Sequence, residues 1–406
     1  MNIMVMQLYY FYRHNSEDTI FISAEEQSEH TLEFLWVDSL RQDLVNHTDS
    51  WQKNIYEHTG LVLNEFHMRD LLNIEHPCAF DTVEEYDLLV FRKLITPDDQ
   101  IYQNEASESH ESVFGLATTP VSFILTPNVL VSLREQGNKA MESYIQRIQT
   151  IMGRAIEEQN KPRKLPSTPA DLSLRLLNSM IDGYLNLRTP LTRRVEYWQQ
   201  QLLQGNRRFK QWHQLFHEDM AFQQIENLCE EQIETLQEFR DELVDNYHHV
   251  VSEHKHKTQD ILLVRLNDLM SHVERVQKHT LRLRNAIQSA IDLHFSAIAN
   301  QTNENMRILA IITAVFAPLT LLTGIYGMNF EFIPGLKSPV GFWIMLAVML
   351  LSTVLLLYYF YQQHLVGRGE RSVIDLLAQQ HKQRNLTCSG FWTMNRLNKP
   401  SKRLRK

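Results

Sequence analysis

Two stretches without a single Lys, Arg, Asp or Glu dominate the last quarter of this 406-residue chain: 23 residues from Ile308 to Phe330 and 30 from Ser338 to Gly367. At about 1.5 Å per helical residue, each is long enough to cross a hydrocarbon layer roughly 30 Å thick. They read as two membrane-spanning helices; both lengths disfavour the alternative, a helical hairpin buried in a soluble protein. No comparable run occurs earlier, and the start, MNIMVMQLYYFYRHNSED, lacks the basic leader of a secretory signal. The first 300 residues are therefore expected to stay on the side where they are made, and two spans return the chain to that side.

Charge points the same way. After Tyr361 there are ten basic and two acidic residues, a net of +8, so residues 1–361 carry −16 of the overall −8. Positive charge beside a span favours the cytoplasm, so both termini are expected there, in a multi-pass protein of the plasma (inner) membrane. Trp343 and the aromatic run Tyr358 to Tyr361 suit the two interfaces of the second span. Three cysteines, Cys78, Cys229 and Cys388, lie too far apart for a CxxC metal site and read as free thiols. Walker, Rossmann, nucleophile-elbow and HExxH patterns are all missing, so neither an enzyme nor an organic cofactor is expected.

The organisation follows from changes in pattern. Residues 1–135 hold short β-rich runs, VMQLYYFY, TIFIS, EFLWVD, YDLLVFRKLI, SVFGLA, VSFILT and VLVSL, around a helical stretch NIYEHTGLVLNEFHMRDLLN, which predicts a cytosolic α/β domain. Residues 136–306 have few turn signals beyond NKPRKLPSTPADL, Pro190 and Gly205, and predict long amphipathic helices; Leu262, Leu266, Leu269, Val273 and Val276 form one apolar stripe. The last of these helices is expected to run unbroken into the first span, 307–329. An external loop, 330–339, the second span, 340–361, and a basic cytosolic tail, 362–406, complete the chain.

Inside the first span the residues are sorted. Asn303, Met306, Ala310, Thr313, Ala317, Thr320 and Gly324 follow alternating steps of three and four, and most are small or weakly polar, whereas Leu309, Ile312, Phe316, Leu319 and Leu322 fall on other faces. Such a seam meets other helices. It serves either as a packing interface or, with several copies around an axis, as the lining of a narrow pore. Two spans per chain are too few to enclose a channel, so conduction requires a cyclic homo-oligomer. Pro318 can loosen the helix locally, and Thr313 and Thr320 can present oxygen to water or ions. The stripe holds no Asp, Glu or His, which disfavours a proton relay.

At the outer end of this helix stands Tyr326-Gly327-Met328-Asn329-Phe330, preceded by NENMRILAIITAVFAPLTLLTG. This resembles the YGMNF signature and pore helix of the CorA family of divalent-cation channels, strongly over residues 285–361. More faintly, SAIDLHFSAIANQTNENM resembles the family's stalk, and WVD at Trp36 to Asp38 with TGLVLNEFHMRDLLN its cytosolic domain. The resemblance implies a homopentamer with an α/β domain, a funnel of long helices and two C-terminal transmembrane helices. It implies transport of Mg2+, with Co2+, Ni2+ or Zn2+ as further ions, and a filter at Gly327, Met328 and Asn329. Neutral acceptors there suit a hydrated ion, since Mg2+ sheds water reluctantly. Met306 and Leu309 are candidates for a dewetting gate, with Asn303 at its mouth. Two departures stand out: Gly335 occupies a place that is often acidic in the family's outer loop, and Ala317 stands where some relatives have Met.

The same resemblance implies sensing of cytosolic Mg2+ between subunits, with Asp268 in LNDLMSHVERV at a regulatory position and Asp98 or Asp99 as its partner. The acidic run from Glu230 to Asp245 reads as a solvated face or, in a ring, as a cation concentrator. His248, His249, His254 and His256 have transition-metal character, opposed by adjacent lysines. The basic tail suits anionic lipid headgroups, and nucleic acid is not an expected partner. Two other functions stay open: a Zn2+-selective relative, and a cytosolic scaffold that uses the spans only as an anchor.

Overall fold

The computed structural model describes residues 6–13, 20–27, 30–96, 99, 118–154, 165–203, 209–247, 253–328 and 340–362, with side chains omitted at 246–247 and 253–258. The chain divides into two compact units. One comprises Met1–Glu196 with Gln211–Ala286, the other Tyr197–Lys210 with Ile287–Lys406.

The first unit is built on a seven-stranded sheet: β1 (Gln7–Arg13), β2 (Ile20–Ser23), β3 (Thr31–Leu40), β4 (Ala79–Thr82), β5 (Asp87–Leu94), β6 (Thr118–Leu125) and β7 (Val129–Arg134), in the order β2-β1-β3-β7-β6-β5-β4. Only β3 and β7 pair in parallel, with Asp38 opposite Ser132; the other neighbours are antiparallel. Alternation along β3 sends Leu35 and Val37 into a cluster with Leu44, Trp51, Ile55 and Met68, residues of α1 (Arg41–Asn46), α2 (Thr48–Thr59) and α3 (Glu65–Leu72). Phe34 and Trp36 point the other way, stacked on Phe11 at 4.2 Å and Tyr9 at 4.8 Å, and Trp36 meets Tyr144 of α4 (Lys139–Met152) edge-on. Helices thus cover both faces of the sheet, as the expected α/β class requires.

The stretch expected as one helix, NIYEHTGLVLNEFHMRDLLN, is two. Gly60 at φ 73° closes α2 in the left-handed region, which a side-chain-bearing residue enters at a cost. Asn64 then caps α3 by accepting from the Phe66 amide. Strand β4 had no separate signal in the sequence, and SVFGLA lies outside the described residues.

Beyond the sheet the described chain is helical up to Tyr326: α5 (Pro169–Asp182), a 3-10 turn (Gly183–Leu187), α6 (Arg188–Leu203), α7 (Trp212–Tyr247) and α8 (Glu253–Tyr326), with 197–203 of α6 and 287–326 of α8 belonging to the second unit. The turn-rich segment before α5 resolves into a Thr168 cap with Pro169 in the first turn. Pro190 does not break α6; it sits in the first turn, where its missing amide costs nothing, and the break is the 3-10 turn before it. The predicted stripe Leu262, Leu266, Leu269, Val273 and Val276 is buried. Gln232 Nε2 of α7 donates to the Arg92 carbonyl of β5 and to Tyr184 Oη. Cys78 and Cys229 are free, with both thiols pushed up to about 12 by burial.

In the second unit, His294 Nδ1 of α8 lies 2.9 Å from the Leu202 carbonyl, and Phe209 packs edge-on against both Trp198 and His294. The unit also holds the end of α8 and α9 (Gly341–Gln362). As expected, α8 continues unbroken from amphipathic sequence into the first span, 74 residues in all.

Candidate functional site

The two apolar helices are not core helices of a soluble fold. In the most apolar window of each, 6% of α8 and none of α9 is buried within the chain. Against that uniform exposure the sorting of α8 has a shape. Thr313, Ala317, Thr320, Gly324 and Met328 lie along a shallow groove, flanked by Ile312 and Phe316 and by Leu321 and Ile325. The groove exists because small side chains at a three-four spacing are bracketed by large ones one residue away. Asn303, Met306 and Ala310 extend the same line toward the N terminus, and all seven stripe positions are exposed in the single chain. Glu304, Arg307, Ile311, Ala314 and Pro318, which are half-buried, fall on another face.

Oxygen on the groove is presented in one polarity. Thr313 Oγ1 donates to the Leu309 carbonyl and Thr320 Oγ1 to that of Phe316, both at 2.9 Å. With the hydroxyl protons committed to the helix backbone, the lone pairs are what the groove offers, which suits cations or the protons of their water shells. Thr323 bonds back in the same way, to Leu319 and Thr320, but sits off the stripe. Pro318 leaves the helix continuous and, being on the half-buried face, does not point into the groove.

Gly327 and Met328 end this helix: the Gly327 amide donates to the Thr323 carbonyl at 2.9 Å and that of Met328 to Ile325 at 3.3 Å. Unusual dihedrals are not what Gly327 supplies, since its φ lies outside the left-handed range. A Cβ there would stand 3.1 Å from the Thr323 carbonyl oxygen, so the requirement is steric. Met328 joins the groove itself, a placement the sequence pattern had not singled out. Asn329, the outer loop 330–339, Asp98, the side chains of His248 to His256 and the tail beyond Gln362 lie outside the described residues.

The two described carboxylates expected to take part in regulation, Asp268 and Asp99, have different surroundings. Asp268 is exposed on α8, with Oδ1 3.7 Å from His272 Nε2, while His272 Nδ1 is 3.9 Å from Asp182 Oδ1; both separations are too long for hydrogen bonds. These neighbours were legible only as an Asp-x-x-x-His spacing, which the sequence reading passed over. Asp99 is buried instead, and both carboxylate oxygens are engaged: Lys93 Nζ donates to each, the Thr96 amide to one and the Lys139 amide to the other. Burial pushes its carboxyl up, but the bonds from Lys93 and the two amides outweigh that and hold it below the ordinary carboxylate range. The structure thus gives Asp99 a place in the fold rather than a free oxygen for a metal. Asp38 of the WVD segment is also internal: Ser132 Oγ and Arg134 Nε donate to it, and burial still leaves its carboxyl raised.

On α7, Glu230, Glu234, Glu238, Asp241 and Asp245 are exposed along one face. Among the described residues no three His, Cys, Asp or Glu side chains converge on a metal-sized site. Among the described residues, cation acceptors are therefore distributed rather than gathered into a closed cage.

A family model described as CorA-like Mg2+ transporter protein matches residues 33–362. The chain belongs to the CorA family. Among curated relatives, the cobalt/magnesium transport protein CorA of Thermotoga maritima is 25% identical over 293 residues, 72% of this chain and 74% of that protein. The divalent cation transporter CmaX of Pseudomonas aeruginosa is 33% identical over 88 residues, 22% of this chain and 26% of that protein. Among solved structures, the complete CorA magnesium transporter of Methanocaldococcus jannaschii superposes with a TM-score of 0.57 at 19% identity, covering 88% of this chain and 98% of that one. Full-length CmaX gives 0.52 at 17%, covering 88% and 97%. At those identities the superpositions speak for the CorA fold: a mixed-sheet domain, a long helix and two C-terminal apolar helices. The family is one of membrane transporters, not enzymes.

Proposed function

We propose that five copies of this chain form a channel for hydrated Mg2+ along the α8 stripe, selected at a ring of Gly327, Met328 and Asn329. The observation that carries this reading is the groove: small residues and outward lone pairs, exposed in the single chain, lead in register to Met328. A ring of such helices offers neutral acceptors from end to end. Mg2+ holds its waters tightly, so neutral acceptors bind the hydrated ion through those waters and release it readily. Phe316, Leu321 and their neighbours then pack between copies or against lipid. Met306 narrows the cytosolic end, and Asn303 stands at its mouth.

Residues 1–135 serve as the cytosolic domain and 136–306 as the funnel, with both termini cytoplasmic and the basic tail against anionic headgroups. The acidic face of α7 concentrates cations before the inner mouth. Asp268, exposed and, among the described residues, without a hydrogen-bond donor at contact distance, is the regulatory ligand we assign. Cytosolic Mg2+ there neutralises carboxylate repulsion between subunits and holds the pore closed. Relatives named for cobalt and magnesium make Co2+ a further cargo to test.

The experiment is uptake of Mg2+, Co2+, Ni2+ and Zn2+ into liposomes by wild-type and Asn329→Ala protein. The reading expects selective Mg2+ flux from the wild type and lost selectivity from the variant. Equal selective flux from both removes the filter, and Zn2+ flux without Mg2+ flux assigns the chain to a zinc-selective role. No flux of any ion leaves the scaffold reading standing. Native mass of the purified protein tests the assembly: five copies of 47.9 kDa give about 240 kDa.

A further inference from the structure

The first turns of α7 carry a pair of histidines that none of the foregoing uses. His213 and His217 are four residues apart, both exposed, with ring centroids 4.5 Å apart and planes at 67°. Neither imidazole makes a hydrogen bond or ion pair among the described residues, so their nitrogens are available. The backbone beneath them is held. Leu215 is buried, Glu218 on the next turn is ion-paired with Arg194, and Asp219 accepts from Arg284 Nε at 3.3 Å. Those arginines engage Glu218 Oε1 and Asp219 Oδ1, one oxygen of each carboxylate nearest the pair in sequence.

We propose that His213 and His217 form a chelating site for imidazole-preferring divalent transition metals, Ni2+, Co2+ or Zn2+, that excludes Mg2+. Two residues at this spacing stand on one helix face, and imidazole nitrogens bind such metals at about 2.0–2.1 Å, with water completing the shell. Mg2+ demands oxygen ligands and gains nothing from imidazole. The rigid helix positions both ligands before the metal arrives, so little ordering remains at the moment of binding. The site is independent of the pore: it holds whether or not the chain conducts, and it gives a protein of a Mg2+ transporter family a means of distinguishing transition metals from Mg2+.

The test uses the full chain in detergent, with His248, His249, His254 and His256 replaced by alanine to remove the other dense histidine segment. Ni2+ is titrated calorimetrically in excess Mg2+, and the imidazole nitrogens on bound Cu2+ are counted by pulsed electron paramagnetic resonance. The proposal expects a high-affinity class of Ni2+ site with two imidazoles on Cu2+. His213→Ala and His217→Ala should each remove that class, while Gln214→Ala keeps it. Circular dichroism of each variant should match the parent, because both rings are exposed. Retention of the class in either histidine variant, its displacement by Mg2+, or equal loss in Gln214→Ala would overturn the proposal.

Discussion

Lys93 and Asp99 are each 3% exposed and face one another inside the first unit. Removing one partner strands the other charge, so Asp99→Ala should destabilise the sheet-bearing unit by about 3–5 kcal/mol, measured by urea unfolding of the detergent-solubilised protein. Because the folded carboxyl sits below its unfolded value, its contribution is present at neutral pH and is lost as pH falls below about 4 and through the folded value. Asp99→Asn should accordingly be less acid-sensitive than the wild type, and an identical acid profile would count against the pair. Gly327 is the other residue whose demand is local. Gly327→Ala should fold normally, since its backbone is ordinary, yet lower Mg2+ flux by crowding the Thr323 carbonyl at the helix end. Full flux from that variant would show that close approach is not needed there.

At the scale of the element, α8 separates two kinds of threonine. Thr313 and Thr320 lie on the groove, Thr323 does not, and all three hydroxyls donate to backbone carbonyls of their own helix. Substitution by valine keeps the shape and removes the oxygen. Thr320→Val should reduce Mg2+ flux severalfold while Thr323→Val leaves it unchanged; equal effects would mean that the groove is not the path. The long helices were legible because their apolar period of 3.6 persists over many turns, and the stripe because size alternates along the same period. The break at Gly60 was missed because NIYEHTGLVLNEFHMRDLLN keeps helical spacing on both sides of a glycine whose left-handed backbone appears only in three dimensions. Strand β4 was missed because AFDT is short, half-exposed and at the sheet edge, where little burial pattern is imposed.

For the molecule as a whole, the two uncharged runs of the C-terminal quarter set the architecture, and the charge division of the chain sets its expected orientation. The site was less legible than the fold for a physical reason. The residues proposed to line the pore are identified by size and period, which leave a trace in the sequence. The proposed regulatory carboxylates depend on which side chains meet, and there Asp99 and Asp268 look alike until burial separates them. The same holds for His213 and His217, whose availability follows from what the neighbouring turns bind. The central claim is that the stripe, and not another face of α8, carries the ion. Single cysteines at Thr320 and at Phe316, treated with a permeant cationic thiol reagent during Mg2+ uptake into liposomes, test it most directly. The account predicts that Thr320→Cys is blocked while Phe316→Cys keeps its flux; block at Phe316→Cys with Thr320→Cys unaffected would contradict it.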